Sequence, residues 1–120
     1  MIQNTRSWKE VPLNCMSEWM NTFYKSKEGI NLSIECPICD LKQLHRYYDS
    51  CNNIHRIIDG NNFIGTGDLW EWCSSCYHFS RCYAAIPDWW NCHLEIDQSE
   101  TCRTPEFLEI AIRKKSLFSN

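Results

Sequence analysis

An α+β fold is predicted by three features of this 120-residue sequence. Two C-x-x-C pairs, Cys36-Pro37-Ile38-Cys39 and Cys73-Ser74-Ser75-Cys76, sit well apart in the chain. Extended or alternating segments run into and out of both pairs. One amphipathic helical stretch precedes this region and another follows it. Six Trp, five Tyr and five Phe can build a real core at this length, so residues 1–120 are read as one domain.

Taken in order, residues 1–13 read as an irregular arm. Asn14 is the expected helix cap. Met16, Trp19, Met20, Phe23 and Tyr24 then follow the spacing of one helical face. Lys25 and Lys27 suit a last turn and Gly29 a stop, which predicts a helix over about 14–27. Ile30–Glu35 alternates and predicts a short strand. Leu41–Tyr48 is read as extended, anchored by Leu44, Tyr47 and Tyr48. Cys51-Asn52-Asn53 signals a turn, and Ile54–Ile58 is strand or a helical turn. Asp59-Gly60-Asn61-Asn62 and Gly65-Thr66-Gly67-Asp68 carry loop chemistry, which predicts a mobile excursion between them. Leu69–Trp72 is a strand entering the second pair, and Tyr77–Ala84 is a strand leaving it. Trp89 and Trp90 form an aromatic corner: extended chain can point one ring inward and one outward, and the alternative is that both belong to the core. Residues 91–103 are polar and acidic. Thr104, Pro105 and Glu106 predict a helix start, with Phe107, Leu108, Ala111 and Ile112 as its apolar face. Arg113, Lys114 and Lys115 complement the dipole at its end.

Two residues between cysteines let both sulfurs face into one turn. Two such turns facing each other place four thiolates at the corners of a tetrahedron, the geometry of structural Zn²⁺. Cys36, Cys39, Cys73 and Cys76 are therefore the expected ligands of one zinc. Strand, cysteine turn, strand on both sides is the zinc-ribbon pattern. It predicts a small antiparallel sheet that cannot bury itself, covered by the N-terminal and C-terminal helices. A redox dithiol or buried free thiols are the alternatives; no βαβ pattern surrounds either pair to favour the first. Cys82, Cys92, His93 and Cys102 could supply a second metal site but lack turn spacing. A closed four-cysteine set leaves no open position for catalysis. Gly65-Thr66-Gly67 lacks the third glycine of a phosphate loop. No enzyme is expected.

Nine cysteines, an odd number, with no apolar leader in the first residues and no apolar run of spanning length, point to a reducing cytoplasm and no membrane. The formal charge is −3, and four thiolates plus one Zn²⁺ bring it to about −5. That balance disfavours nucleic acid, whose binding begins with phosphate neutralisation, and suits a basic partner.

The segments Cys36-Pro37-Ile38-Cys39, Trp70-Glu71-Trp72-Cys73-Ser74-Ser75-Cys76 and Pro87-Asp88-Trp89-Trp90 together resemble small bacterial zinc-ribbon proteins. These look like immunity proteins found beside polymorphic or contact-dependent toxins. The resemblance covers about residues 36–90. It departs at Asp40, where glycine often follows the second cysteine. It implies a non-catalytic cytoplasmic protein that neutralises one cognate toxin. An acidic partner suits a basic nuclease, so Glu71, Asp88, Trp89, Trp90, Glu95, Asp97 and Glu100 are the expected contact surface. The alternative is a zinc ribbon that binds nucleic acid or sits in a transcription or translation complex. Clustering of Lys42, Arg46, Arg56 and Arg81 on one sheet face would favour it.

Overall fold

The computed structural model describes residues 7–97, 99 and 101–115. The elements run β1 (Lys9–Glu10), α1 (Leu13–Tyr24), β2 (Leu44–Asn52), β3 (Arg56–Ile58), β4 (Asn61–Cys73), β5 (His78–Pro87) and α2 (Glu106–Lys114). The strands form one five-stranded sheet in the order β1-β5-β4-β2, with β3 paired to the start of β4. The sheet is mixed rather than antiparallel throughout, because β1 runs parallel to β5. The expected irregular arm is thus tied down: Lys9 N–H donates to Tyr77 O at 2.8 Å and Val11 N–H to Phe79 O at 3.0 Å. Trp8 adds edge-on ring contacts to Tyr77 and Phe79 and donates its indole N–H to Glu106 at 2.9 Å.

The two helices cover opposite faces, as the small sheet requires. Strand register places Arg46, Glu71 and Ser80 on one face and Tyr47, Trp70 and Arg81 on the other. On the first face, the Trp19 indole of α1 donates to Ser80 Oγ at 3.0 Å. On the second, Phe107 of α2 meets Trp70 with ring centroids 5.3 Å apart. Leu44 through Tyr48 are consecutively buried, which removes the alternation expected of a half-exposed strand. Trp19, Trp70 and Trp72 are all fully buried. Each contributes roughly 4 kcal/mol of apolar burial as an upper bound.

Several local expectations are corrected. Pro12, not Asn14, is the N-cap of α1, and the helix ends at Tyr24, before Lys27 and Gly29. Its inward stripe is narrower than its apolar pattern: Trp19 and Phe23 are buried, while Met20 and Tyr24 are exposed. Residues 30–35 make no strand; one bridge joins Asn31 to His45, with Leu32 N–H on Leu44 O at 3.0 Å. Cys51 and Asn52 belong to β2, where the register shifts, rather than to a turn. The turn before β4 is shorter than expected. Asp59 and Gly60, at φ 52° and 80°, close a two-residue hairpin of the type that needs two left-handed residues. Gly65, Thr66 and Gly67 lie inside β4 and not in a loop. A Cβ on Gly65 would collide with Asn52 O, and one on Gly67 with Asp49 O, so these glycines serve close backbone approach. For α2, Pro105 rather than Thr104 is the N-cap.

A polar cluster lies between α1 and the sheet. Arg46 is 2 % exposed, with Nη1 donating to Phe23 O and Nη2 to Ser26 O and Glu28 O, each at 3.0 Å. These carbonyls lie at and just beyond the C-terminus of α1, where helical partners run out. Ser80 Oγ donates to Glu71 Oε1 at 3.3 Å. Burial pushes the Glu71 carboxyl up from 4.5 to about 7, against the opposing pull of Arg46 and the Ser80 hydrogen bond. The folded chain therefore holds a proton that the unfolded chain releases between about pH 4.5 and 7, and stability falls as pH rises through that window. Glu71→Gln is expected to flatten this dependence and to raise stability at pH 8 by about 3 kcal/mol. Urea denaturation at pH 5 and pH 8 checks it; an unchanged pH slope in the variant refutes the assignment.

Candidate metal centre

The two C-x-x-C segments fold into the same turn. In the first, Asp40 N–H donates to Cys36 O and Cys36 N–H to Leu41 O, each at 2.8 Å, and Ile38 N–H points at Cys36 Sγ at 3.4 Å. In the second, Tyr77 N–H donates to Cys73 O at 3.0 Å and Ser75 N–H points at Cys73 Sγ at 3.4 Å. Both turns close through a left-handed residue directly after the second cysteine, Asp40 at φ 66° and Tyr77 at φ 60°. Asp tolerates this conformation better than most residues. Tyr77 is held in it by its N–H bond and by Trp8.

The sheet brings the turns together. The second joins β4 to β5, and the register sets Leu44 opposite Cys73. Ser74 N–H donates to Gln43 O at 2.9 Å, which ties the second turn to the chain leaving the first. All four sulfurs lie within 4.8 Å of one another. Cys36 Sγ is 3.8 Å from Cys76 Sγ, and Cys39 Sγ is 3.7 Å from Cys73 Sγ. A tetrahedron with metal–sulfur bonds of about 2.3 Å has edges of about 3.8 Å. The four cysteines can therefore hold a metal ion. Cys36 and Cys73 are fully buried, Cys39 and Cys76 half-buried, and all four join a cluster with Val11, Trp19, Phe23, Leu32 and Leu44. The centre forms one end of this apolar core.

Thiols this close cannot all ionise without a counter-charge. The neighbouring Cys73 thiol is the main cause that draws Cys36 down to about 5, while the same interaction pushes Cys73 up. Burial chiefly pushes Cys76 up to about 11. A divalent cation would replace these shared protons.

A buried carboxylate steadies the second turn from outside. Glu109 of α2, fully buried, accepts from the Trp72 indole at 3.1 Å and from the Ser74 hydroxyl, and pairs with Arg113 at 3.5 Å. Trp72 and Ser74 flank Cys73, so α2 positions that cysteine. The sequence carried a signal for this: Pro105, Leu108, Glu109 and Ile112 follow one helical face, and a carboxylate stands on it.

The other expected site residues separate into two groups. Asp88, Glu95 and Asp97 are exposed. Two hydrogen bonds from Ser99, from its hydroxyl first and then its backbone N–H, hold the Asp97 carboxyl below its usual range. Glu71 and Trp90 are instead buried, at 7 % and 6 % exposure, so neither offers a surface contact. Trp89 is half-buried, with the Arg46 guanidinium 5.0 Å from its ring centroid. The aromatic corner therefore turns both rings towards the protein. Glu100 lies outside the described residues. Cys82, Cys92, His93 and Cys102 join no metal-ligating group among the described residues, and His78 does not belong to the four-cysteine set. Comparison with protein-family models, curated proteins and solved structures finds no match for this chain.

Proposed function

We propose that this chain is a non-catalytic cytoplasmic immunity protein that binds and neutralises a cognate protein toxin, a basic nuclease. One Zn²⁺ on Cys36, Cys39, Cys73 and Cys76 holds its fold. The donor set supports zinc: four thiolates at tetrahedral spacing suit that ion and leave no open coordination position. The metal supplies cross-linking of the two turns; the protein's own residues supply the binding surface. No described helix is long and apolar enough to cross a membrane.

One observation carries the choice of partner. The cations whose clustering would build a nucleic-acid face are dispersed. Arg46 is buried against α1, and Arg81 lies on the opposite sheet face, paired to Asp68 at 3.1 Å and 4.7 Å above Trp70. Lys42 precedes β2 and Arg56 sits on β3. Exposed Asp88, Glu95 and Asp97 remain as an acidic surface that a positive nuclease cleft would attract over long range.

Purification with the toxin domain encoded beside the gene tests this reading. The expected result is a one-to-one complex with the nuclease inhibited. Asp88→Lys with Asp97→Lys should slow association about tenfold at low salt while leaving the metal content unchanged. A chain with no toxin neighbour, or one that leaves that toxin active, overturns the assignment.

A further inference from the structure

Beside the aromatic corner, an open groove of about 690 Å³ runs between β2 and the segment that follows Trp90. Tyr48 and Trp90 form an edge-to-face aromatic pair in its wall, with centroids 5.0 Å apart. Tyr47 fixes the opposite lip: its hydroxyl accepts from Leu94 N–H at 3.2 Å. The groove's acidic lining is Asp49 and Glu95, with His93 beside them and no Lys or Arg. Arg81, the cation that acts on Asp49, is engaged by Asp68, which the register sets opposite Asp49. No ion pair is present for Asp49 or Glu95 among the described residues. Aromatic walls, two carboxylates and the neutral acceptors of Ser50 and Asn53 surround one space.

We infer that this groove is the seat of an arginine side chain presented by the protein partner. The inference rests on the proposed binding function and assigns that function a specific contact. A guanidinium matches the lining better than an ammonium. Its planar fork of N–H donors can meet a carboxylate while its apolar stem lies along the groove wall. The guanidinium also adds positive charge beside Asp49, whose carboxyl burial and the Asp68 charge hold above its usual value although Arg81 pulls it down. Asp49, Ser50 and Asn53 thereby join Glu95 in a recognition surface broader than the acidic stretch after Trp90.

Titration of the ¹⁵N-labelled full chain with N-acetyl-arginine methylamide reads the groove directly. Saturable shifts are expected at the backbone amides of Asp49, Ser50, Asn53 and Asn91 and at the Trp90 indole. Asp49→Asn and Glu95→Gln should each weaken the probe about three- to tenfold, the ordinary worth of a bond to a charged group. The lysine analogue should bind more weakly and the leucine analogue should leave these signals still. Equal binding of the leucine analogue makes the groove an apolar seat and overturns the inference. So does a dimer of the wild-type chain that Asp49→Asn with Glu95→Gln dissociates, because the occupant is then a second copy. Arginine binding elsewhere, or binding that survives the double variant, also refutes it. Protection against a toxin without arginine binding in the groove would remove this contact and keep the function; groove binding without protection would do the reverse.

Discussion

Cys73→Ser is expected to abolish the cooperative fold. Cys73 ends β4, is fully buried, and stands 3.7 Å from Cys39 Sγ. A structural zinc contributes on the order of 10 kcal/mol of apparent folding free energy in small domains. Whole domains are stable by only about 5–15 kcal/mol. Loss of one thiolate from a closed set therefore removes most of the margin, and it does so at the junction of both turns and the apolar core of α1. Circular dichroism should show no cooperative thermal transition for the variant, and excess EDTA should bring the wild-type chain to the same state. A variant that melts within a few degrees of wild type would show that packing alone holds the two turns.

Arg46→Ala is expected to cost about 3–5 kcal/mol, the usual result of removing one partner from a buried charge cluster. Ser26 O and Glu28 O would lose the guanidinium, Phe23 O would keep only the Ser26 N–H, and Glu71 would lose its compensating charge. Trp89 would lose the cation over its ring. Arg46→Lys should recover little of the loss, because an ammonium cannot span the three acceptors as the planar fork does. Urea denaturation at pH 7 measures both. A loss below about 1 kcal/mol for Arg46→Ala would mean that water replaces the guanidinium without difficulty.

The parts legible in the sequence were those fixed by short covalent spacing. The cysteine turns are set by two intervening residues, and three of the four segments beside them are strands; residues 30–35, before the first turn, make a single bridge. The helices were legible as elements, but their buried faces were not. In α1 the apolar pattern includes Met20 and Tyr24, both exposed, because only the Trp19 and Phe23 side meets the sheet. Arg46, Glu71 and Glu109 look like surface charges in a sequence; their burial depends on partners distant in the chain, Phe23, Ser80 and Ser74 among them. Gly65 and Gly67 carry loop chemistry by composition. Here the same lack of a Cβ admits the Asn52 and Asp49 carbonyls inside a strand. The groove was only half visible, since Glu95 belongs to an acidic run while Asp49 sits within an aromatic strand.

The proposed fold support and the proposed binding surface both rest on zinc occupying the four-cysteine centre. Native mass spectrometry of the full chain, purified without chelator, tests it most directly. The expected result is one zinc per chain, lost on acidification together with the folded charge-state distribution. A metal-free mass on a chain that keeps its folded charge-state distribution would contradict the centre.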